Sequence, residues 1–308
     1  MLGRPEAGAA PVPGQWRELL RSRLLRGIYR FGWQVAARLP RRSVALIISA
    51  ASWVALRKDG VHVRNLRRNL ALTTGAPVHS ELVRAALKSY LRNFYEVLAL
   101  PAWSETEIQR RVSAVNESVV RGAHAGPGVV VALPHSGNWD LAGAWACATG
   151  MPVTTVAEQL SDAEYADFLA FRTGLGLQVV SHRDPGALTA LMAAIHCRRV
   201  VCLLADRDLS GTGVPVSWRG HSITMPAGPA IVARRTGAAL VPAVCQFTGD
   251  GMAIIIGEPI APRQGRDGLV AMMQQVADFF VDTIARQPED WHMMQRFFSD
   301  REPSQEAR

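Results

Sequence analysis

A chain of 308 residues, 48% of them hydrophobic, is long enough to bury a full core and lies near the upper end for one domain. Its charge is uneven: residues 1–70 hold 14 Lys or Arg against 3 Asp or Glu, net +11 where the whole chain is +8, so the remaining 238 residues carry −3. A cationic arm on a near-neutral body predicts an anionic surface as partner, either nucleic acid or acidic lipid.

In chain order, residues 1–14 ("MLGRPEAGAAPVPG") have no apolar core, so they are expected to be a disordered N-terminus rather than a secretory signal. From Trp16 to Val35, the residues Trp16, Leu20, Leu24, Ile28, Phe31 and Val35 recur every three or four positions. Five arginines lie beside and behind that stripe, the pattern of an interfacial helix on anionic lipid. Aromatics on the apolar stripe with no recognition motif after it disfavour nucleic acid. The run "SVALIISAASWVAL" (43–56) is too short to span a bilayer and reads as a buried or half-buried helix. "KDGVH" near Lys58 marks a turn, Ser80 caps a long amphipathic helix, and that helix ends around Pro101. Residues 15–115 are thus expected to be mainly helical and membrane-contacting, within one domain covering 15–298; residues 299–308 form a tail.

After "GAHAGPG" strands and helices alternate over 120–298. Strand-like runs occur at 129–134, 152–157, 177–181, 200–205, 239–246 and 252–260, with helices near 138–149, 162–175, 185–198 and 227–236. This predicts an α/β fold with a mostly parallel central sheet flanked by helices and a helical N-terminal third. Ligands of such sheets bind beyond the carboxyl ends of the strands. The polar residues there are His135 and Asp140, then Glu158, then Asp206, Arg207 and Asp208. The cysteines Cys147, Cys197, Cys202 and Cys245 lack paired spacing and read as packing residues.

In "HSGNWD" (135–140), Gly137 permits a tight turn after the strand and Asn138 can cap the helix beginning near Trp139. The turn can fold Asp140 back on His135, where a carboxylate on one imidazole nitrogen leaves the other free to take a proton from a hydroxyl. The alternative is that Asp140 only favours the helix dipole. "ADRDL" offers a D-x-D pair, Asp206 and Asp208, of the kind that holds a divalent metal in glycosyltransferases. The helix opening at Ala227 and Gly228 presents free N–H groups that suit an anion. Arg172, Arg207 and Arg234 are phosphate candidates on charge alone.

"RNLRRNL", "HSGNWDLAG", "VAEQL", "FRTGLG", "ADRDLSGTGVPV", "MPAGPA…TGAALVPA" and "PEDWHMMQ" follow one another between about residues 64 and 298. In that order they resemble the actinobacterial phosphatidylinositol mannoside acyltransferases, part of the lipid A (lauroyl-type) acyltransferase superfamily with a His-x4-Asp motif. The resemblance implies His135 as general base and Asp140 as its orienting carboxylate. It implies an acyl-CoA donor, typically palmitoyl-CoA, and a mannose 6-hydroxyl of a phosphatidylinositol mannoside as acceptor, with no metal or other cofactor. It also implies a peripheral protein on the cytoplasmic face of the inner membrane. Glu158, Arg172, Asp206, Arg207, Asp208, Gly228 and His292 become substrate-binding candidates. Related glycerolipid acyltransferases carry P-E-G where this chain has Pro226-Ala227-Gly228, so no glutamate role transfers there. Three other readings stay open: a lauroyl-type enzyme with another acceptor or an acyl carrier protein donor, a metal-dependent mannosyltransferase, and a non-catalytic membrane-binding module.

Overall fold

The structure, a computed structural model, describes residues 39–157, 169–208 and 211–298. The basic stripe from Trp16 to Val35, the first part of the 162–175 helix, Glu158 and the 299–308 tail lie outside the described residues.

Among the described residues four α-helices come first: α1 (Arg41–Lys58), α2 (Val61–Thr74), α3 (Ser80–Ala99) and α4 (Glu105–Arg111). Ser80 is the first residue of α3 and not its cap, since His79 holds the N-cap position and no side chain bonds there. Strand β1 (Val112–Val115) and helix α5 (Glu117–Ala125) lead into the alternating part. There β2 (Val129–Leu133), α6 (Trp139–Ala148), β3 (Val153–Ala157), helical residues 169–174, β4 (Gln178–Ser181), α7 (Ala187–His196) and β5 (Val200–Leu204) follow in turn. A hairpin, β6 (Val214–Trp218) and β7 (His221–Met225), precedes α8 (Gly228–Thr236), β8 (Ala239–Thr248), β9 (Gly251–Ile256), α9 (Gly265–Ile284) and a 3₁₀ turn at Pro288–Asp290.

Seven strands form one sheet in the order β1-β9-β8-β2-β5-β3-β4, every neighbouring pair parallel except β8 with β9. The expected mostly parallel sheet is present, with two additions. The β8–β9 hairpin turns the chain back along the sheet, so β9 and β1 run against the rest. The separate β6–β7 hairpin closes through Arg219 (φ 49°) and Gly220 (φ 81°), two left-handed residues in succession that match the twist of paired strands.

β2 lies at the centre and is buried along its whole length. Its side chains alternate: Val130 and Ala132 join the core formed with α2, α3, α7, α8 and α9, whereas Val129, Val131 and Leu133 join the core beneath α4, α5 and α6. A strand covered on both faces needs no polar residue until it leaves the sheet, so the valine run ends directly in the turn that starts at His135.

α1 departs from its expected burial. Val44 and Ser52 face inward, but Leu46 (72% exposed), Ile47, Trp53 and Val54 face outward. None of the described helices is long and apolar enough to cross a membrane. Cys197 is exposed at the end of α7, not packed as expected; Cys245 is buried and Cys202 half-buried, and desolvation pushes the Cys202 thiol up to about 12.

Candidate active site

Parallel pairing of β2 with β5 places Leu133 beside Leu204, and the same register carried two residues further sets His135 opposite Asp206. Asp206 is fully buried. Its Oδ1 lies 2.6 Å from His135 Nδ1, and its Oδ2 accepts the backbone N–H of His135 (2.9 Å) and the indole N–H of Trp291 (3.0 Å). Burial alone would raise this carboxyl. The charge of His135 and the hydrogen bonds from His135 and Trp291 outweigh it and hold the group below the usual carboxylate range. A carboxylate kept ionised on Nδ1 fixes the imidazole tautomer and leaves Nε2 as the basic nitrogen. The His135 side chain is 29% exposed, so the couple has one closed end and one reachable end.

The turn itself forms as its residues demand. Gly137 takes φ +57°, and a Cβ there would fall 2.7 Å from the Cys245 carbonyl oxygen. Asn138 Oδ1 accepts the Leu141 N–H at 2.9 Å and caps α6. The returning segment 290–292 clasps the turn: Gly137 N–H donates to Asp290 O, His292 N–H donates to His135 O at 2.8 Å, and Ser136 bridges Trp291.

Asp140 does not orient His135. It sits in the first turn of α6, 3% exposed, and accepts a 2.6 Å hydrogen bond from Arg172 Nε; no hydrogen bond joins it to His135. The reason is the register: β5 delivers Asp206 to Nδ1, while the α6 turn carries Asp140 towards the helical residues 169–174. Arg172, expected on a helix surface to meet phosphate, is therefore committed to a buried ion pair.

The other candidates fall as follows. Asp206 makes no ion pair with Arg207, and Asp208 turns away to accept the amides of Gly211 and Gly213 at 3.2 and 2.9 Å, so the D-x-D acids serve different partners. Among the described residues no group of three His, Cys, Asp or Glu is placed to hold a metal. Gly228 opens α8 without a side-chain cap. Arg234 reaches the Gly265 carbonyl instead of a site.

His292 is buried, and burial first, then the charge of His135, pulls its ring down to about 3, so it is neutral at pH 7. Its Nε2 meets Ser89 Oγ at 3.0 Å, and Ser89 donates to Asp290 Oδ1. Asp290 is thus a buried hub that also accepts the Phe247 and Gln287 N–H groups. α3 supplies a second support through Glu96, which accepts from Asn138 Nδ2 (3.2 Å) and from Arg92. Neither Ser89 nor Glu96 was a sequence candidate, yet Ser89, Asn93 and Glu96 stand at helical spacing on a buried face, a polar stripe where an apolar one is the norm.

Beside the turn an apolar cavity of about 70 Å³ runs across the sheet, a space in which one water needs roughly 10–15 Å³. Val153, Cys202, Val131, Ala243 and Ile254, from five adjacent strands, form its floor. Ala142, Gly143, Trp145 and Ala146 of α6 form its roof, and Trp139, Asp140 and Arg172 line it near His135. The Trp139 ring stands edge-on to the His135 ring at 5.4 Å, so the cavity meets the polar couple at that indole.

A histidine–carboxylate couple at the mouth of an apolar slot can move a proton next to a hydrocarbon. Residues 13–300 match the family model described as bacterial lipid A biosynthesis acyltransferase. The chain belongs to this acyltransferase family. It is 36% identical over 298 residues to a phosphatidylinositol mannoside acyltransferase of Mycolicibacterium smegmatis, covering 94% of this chain and 93% of the relative. It is 37% identical over 276 residues to the protein of the same name from Mycobacterium tuberculosis H37Rv, covering 87% and 86%. A solved 1-acyl-sn-glycerophosphate acyltransferase from Thermotoga maritima overlays with a TM-score of 0.39 and 12% identity, covering 80% of this chain and 98% of that one, too distant to bear on the argument. Within the acyltransferase the expected His-x4-Asp motif is intact, but its two members take different partners.

Proposed function

We propose that this acyltransferase moves a fatty acyl group, palmitoyl in the first instance, from acyl-CoA to the 6-hydroxyl of a mannose on phosphatidylinositol mono- or dimannoside. The observation that carries the reading is the His135–Asp206 couple opening beside an apolar cavity, in a chain whose relatives bear that acceptor in their names. His135 Nε2 takes the hydroxyl proton as the oxygen attacks the thioester carbonyl. Asp206 holds the imidazolium that forms. Collapse of the tetrahedral adduct breaks the carbon–sulfur bond, and the proton passes from His135 to the leaving coenzyme A sulfur. Proton movement is complete within His135, so the step as written calls on no acyl-enzyme, metal or cofactor. Asp140 and Arg172 brace the roof of the cavity, and the acyl chain lies under α6.

The setting we propose is the surface of an anionic membrane, on its cytoplasmic face. The outward apolar residues of α1 (Leu46, Ile47, Trp53, Val54) lie between Arg42 at one end and Arg57 and Lys58 at the other, an arrangement suited to the boundary between acyl chains and anionic headgroups. Labelled palmitoyl-CoA, presented with phosphatidylinositol mannosides in anionic vesicles, should yield one acylated glycolipid. An acceptor whose mannose lacks the 6-hydroxyl should give none, and Leu46→Ser/Trp53→Ser should lose turnover on vesicles while keeping it with detergent-dispersed acceptor. Equal product from the deoxy acceptor would overturn the assigned position; undiminished vesicle turnover by the double variant would overturn the role of α1.

A further inference from the structure

The cavity has two dissimilar ends. Three of its lining residues are charged: Asp140 and Arg172 near Trp139, and Glu117. Glu117 is the first residue of α5, directly after the edge strand β1, and its carboxylate pairs with Arg121 one turn on. Arg121 also donates through Nη1 to the carbonyl of Thr149 at 3.2 Å. Thr149 is the C-cap of α6, the helix that roofs the cavity. Glu117 and Arg121 therefore tie the far end of the roof to α5, whereas Asp140 and Arg172 tie the near end to residues 169–174. From Asp140 to Thr149 the helix advances about 14 Å, and the floor crosses four interstrand steps of about 4.8 Å. Everything between these two ion pairs along the roof is apolar: Ala142, Gly143 and Ala146 present small groups beside the Trp145 ring.

Resting on the proposed acyl transfer, we infer that the Glu117–Arg121 pair is the stop that sets the longest acyl chain this protein accepts. A chain entering beside Trp139 gains with every methylene that stays between the apolar roof residues, Trp145 among them, and the strand floor. At Glu117 the gain ends. The next methylene must press on a carboxylate that is still paired and partly hydrated, 35% exposed on its side chain, and apolar contact there strips water from an ion without replacing it. The pair is also anchored on two elements at once, so it cannot swing aside without releasing the C-terminus of α6.

The test is the dependence of kcat/KM on chain length, measured on the full chain with a series of straight-chain acyl-CoA esters differing by two carbons. Glu117→Ala removes the stop and should improve the ester two carbons beyond the wild-type optimum by roughly 10-fold relative to that optimum, the size expected for a methylene-scale change in an apolar pocket. Ala146→Phe fills the roof short of Glu117 and should move the optimum to shorter chains; Ala146→Leu replaces it if the phenylalanine lowers the unfolding midpoint. An optimum that moves down with the Ala146 variant but stays put in Glu117→Ala leaves the cavity as the acyl site and overturns the stop. An optimum unmoved by either variant, with both proteins folded, overturns the cavity reading itself.

Discussion

Asp206→Asn is expected to lower kcat by about 10²- to 10⁴-fold with little change in KM for acyl-CoA and little change in unfolding midpoint. The amide fits the same space. Its oxygen will stay on the side where it accepts the His135 backbone N–H and the Trp291 indole N–H, because both are buried donors that need an acceptor. That choice turns the NH₂ towards His135 Nδ1, where a carboxylate oxygen now lies at 2.6 Å. A donor facing Nδ1 forces the proton onto Nε2, the nitrogen that must be bare to act as base, and it withdraws the negative charge that stabilises the imidazolium. Asp140→Asn should behave differently: its loss falls on stability and on the shape of the cavity, not on the tautomer of His135. Kinetics and thermal unfolding of the two variants side by side separate the roles. A large kcat defect in Asp140→Asn with a near-normal Asp206→Asn would return the orienting role to the carboxylate within the motif.

The largest stability effect is expected from Arg172→Met. Arg172 Nε makes the one hydrogen bond to Asp140 among the described residues, and the two side chains are only 7% and 4% exposed. Removing the cation leaves a carboxylate buried among Trp139, Leu177 and the strand floor, at a cost of about 3–5 kcal/mol. The double variant Asp140→Leu/Arg172→Met removes both charges and should recover most of that loss, since an apolar pair of similar volume satisfies an apolar wall. Denaturant unfolding of the single and double variants measures the coupling. A double variant no more stable than Arg172→Met would show that the arginine stabilises the fold through contacts other than Asp140.

Much of this was legible in the chain before it was folded. The valine run of β2, the glycine turn and the Asn138 cap each follow from local chemistry, and the structure has them where the residues place them. The strand–helix alternation announces a parallel sheet, and it puts His135 and Asp206 at strand ends. What local reading cannot supply is which strands are neighbours. β2 and β5 lie 71 residues apart along the chain, and only their adjacency turns Asp206 into the partner of His135 in place of the nearer Asp140. The same limit hid the clasp of residues 290–292 and the supports from α3. Ser89 and Glu96 look like ordinary polar helix residues until α3 is known to pack its polar stripe over the turn. The exposure of α1 escaped for the converse reason: a run of Leu, Ile, Trp and Val reads as core, and only the fold reveals that none of the described residues covers Leu46 and Ile47.

The most direct test of the central claim is free-thiol release from palmitoyl-CoA by wild type and His135→Ala, with and without phosphatidylinositol mannoside. Release that rises with the acceptor in wild type and falls to background in a folded His135→Ala protein is the predicted result. Acceptor-stimulated release that survives the loss of His135 would contradict the account.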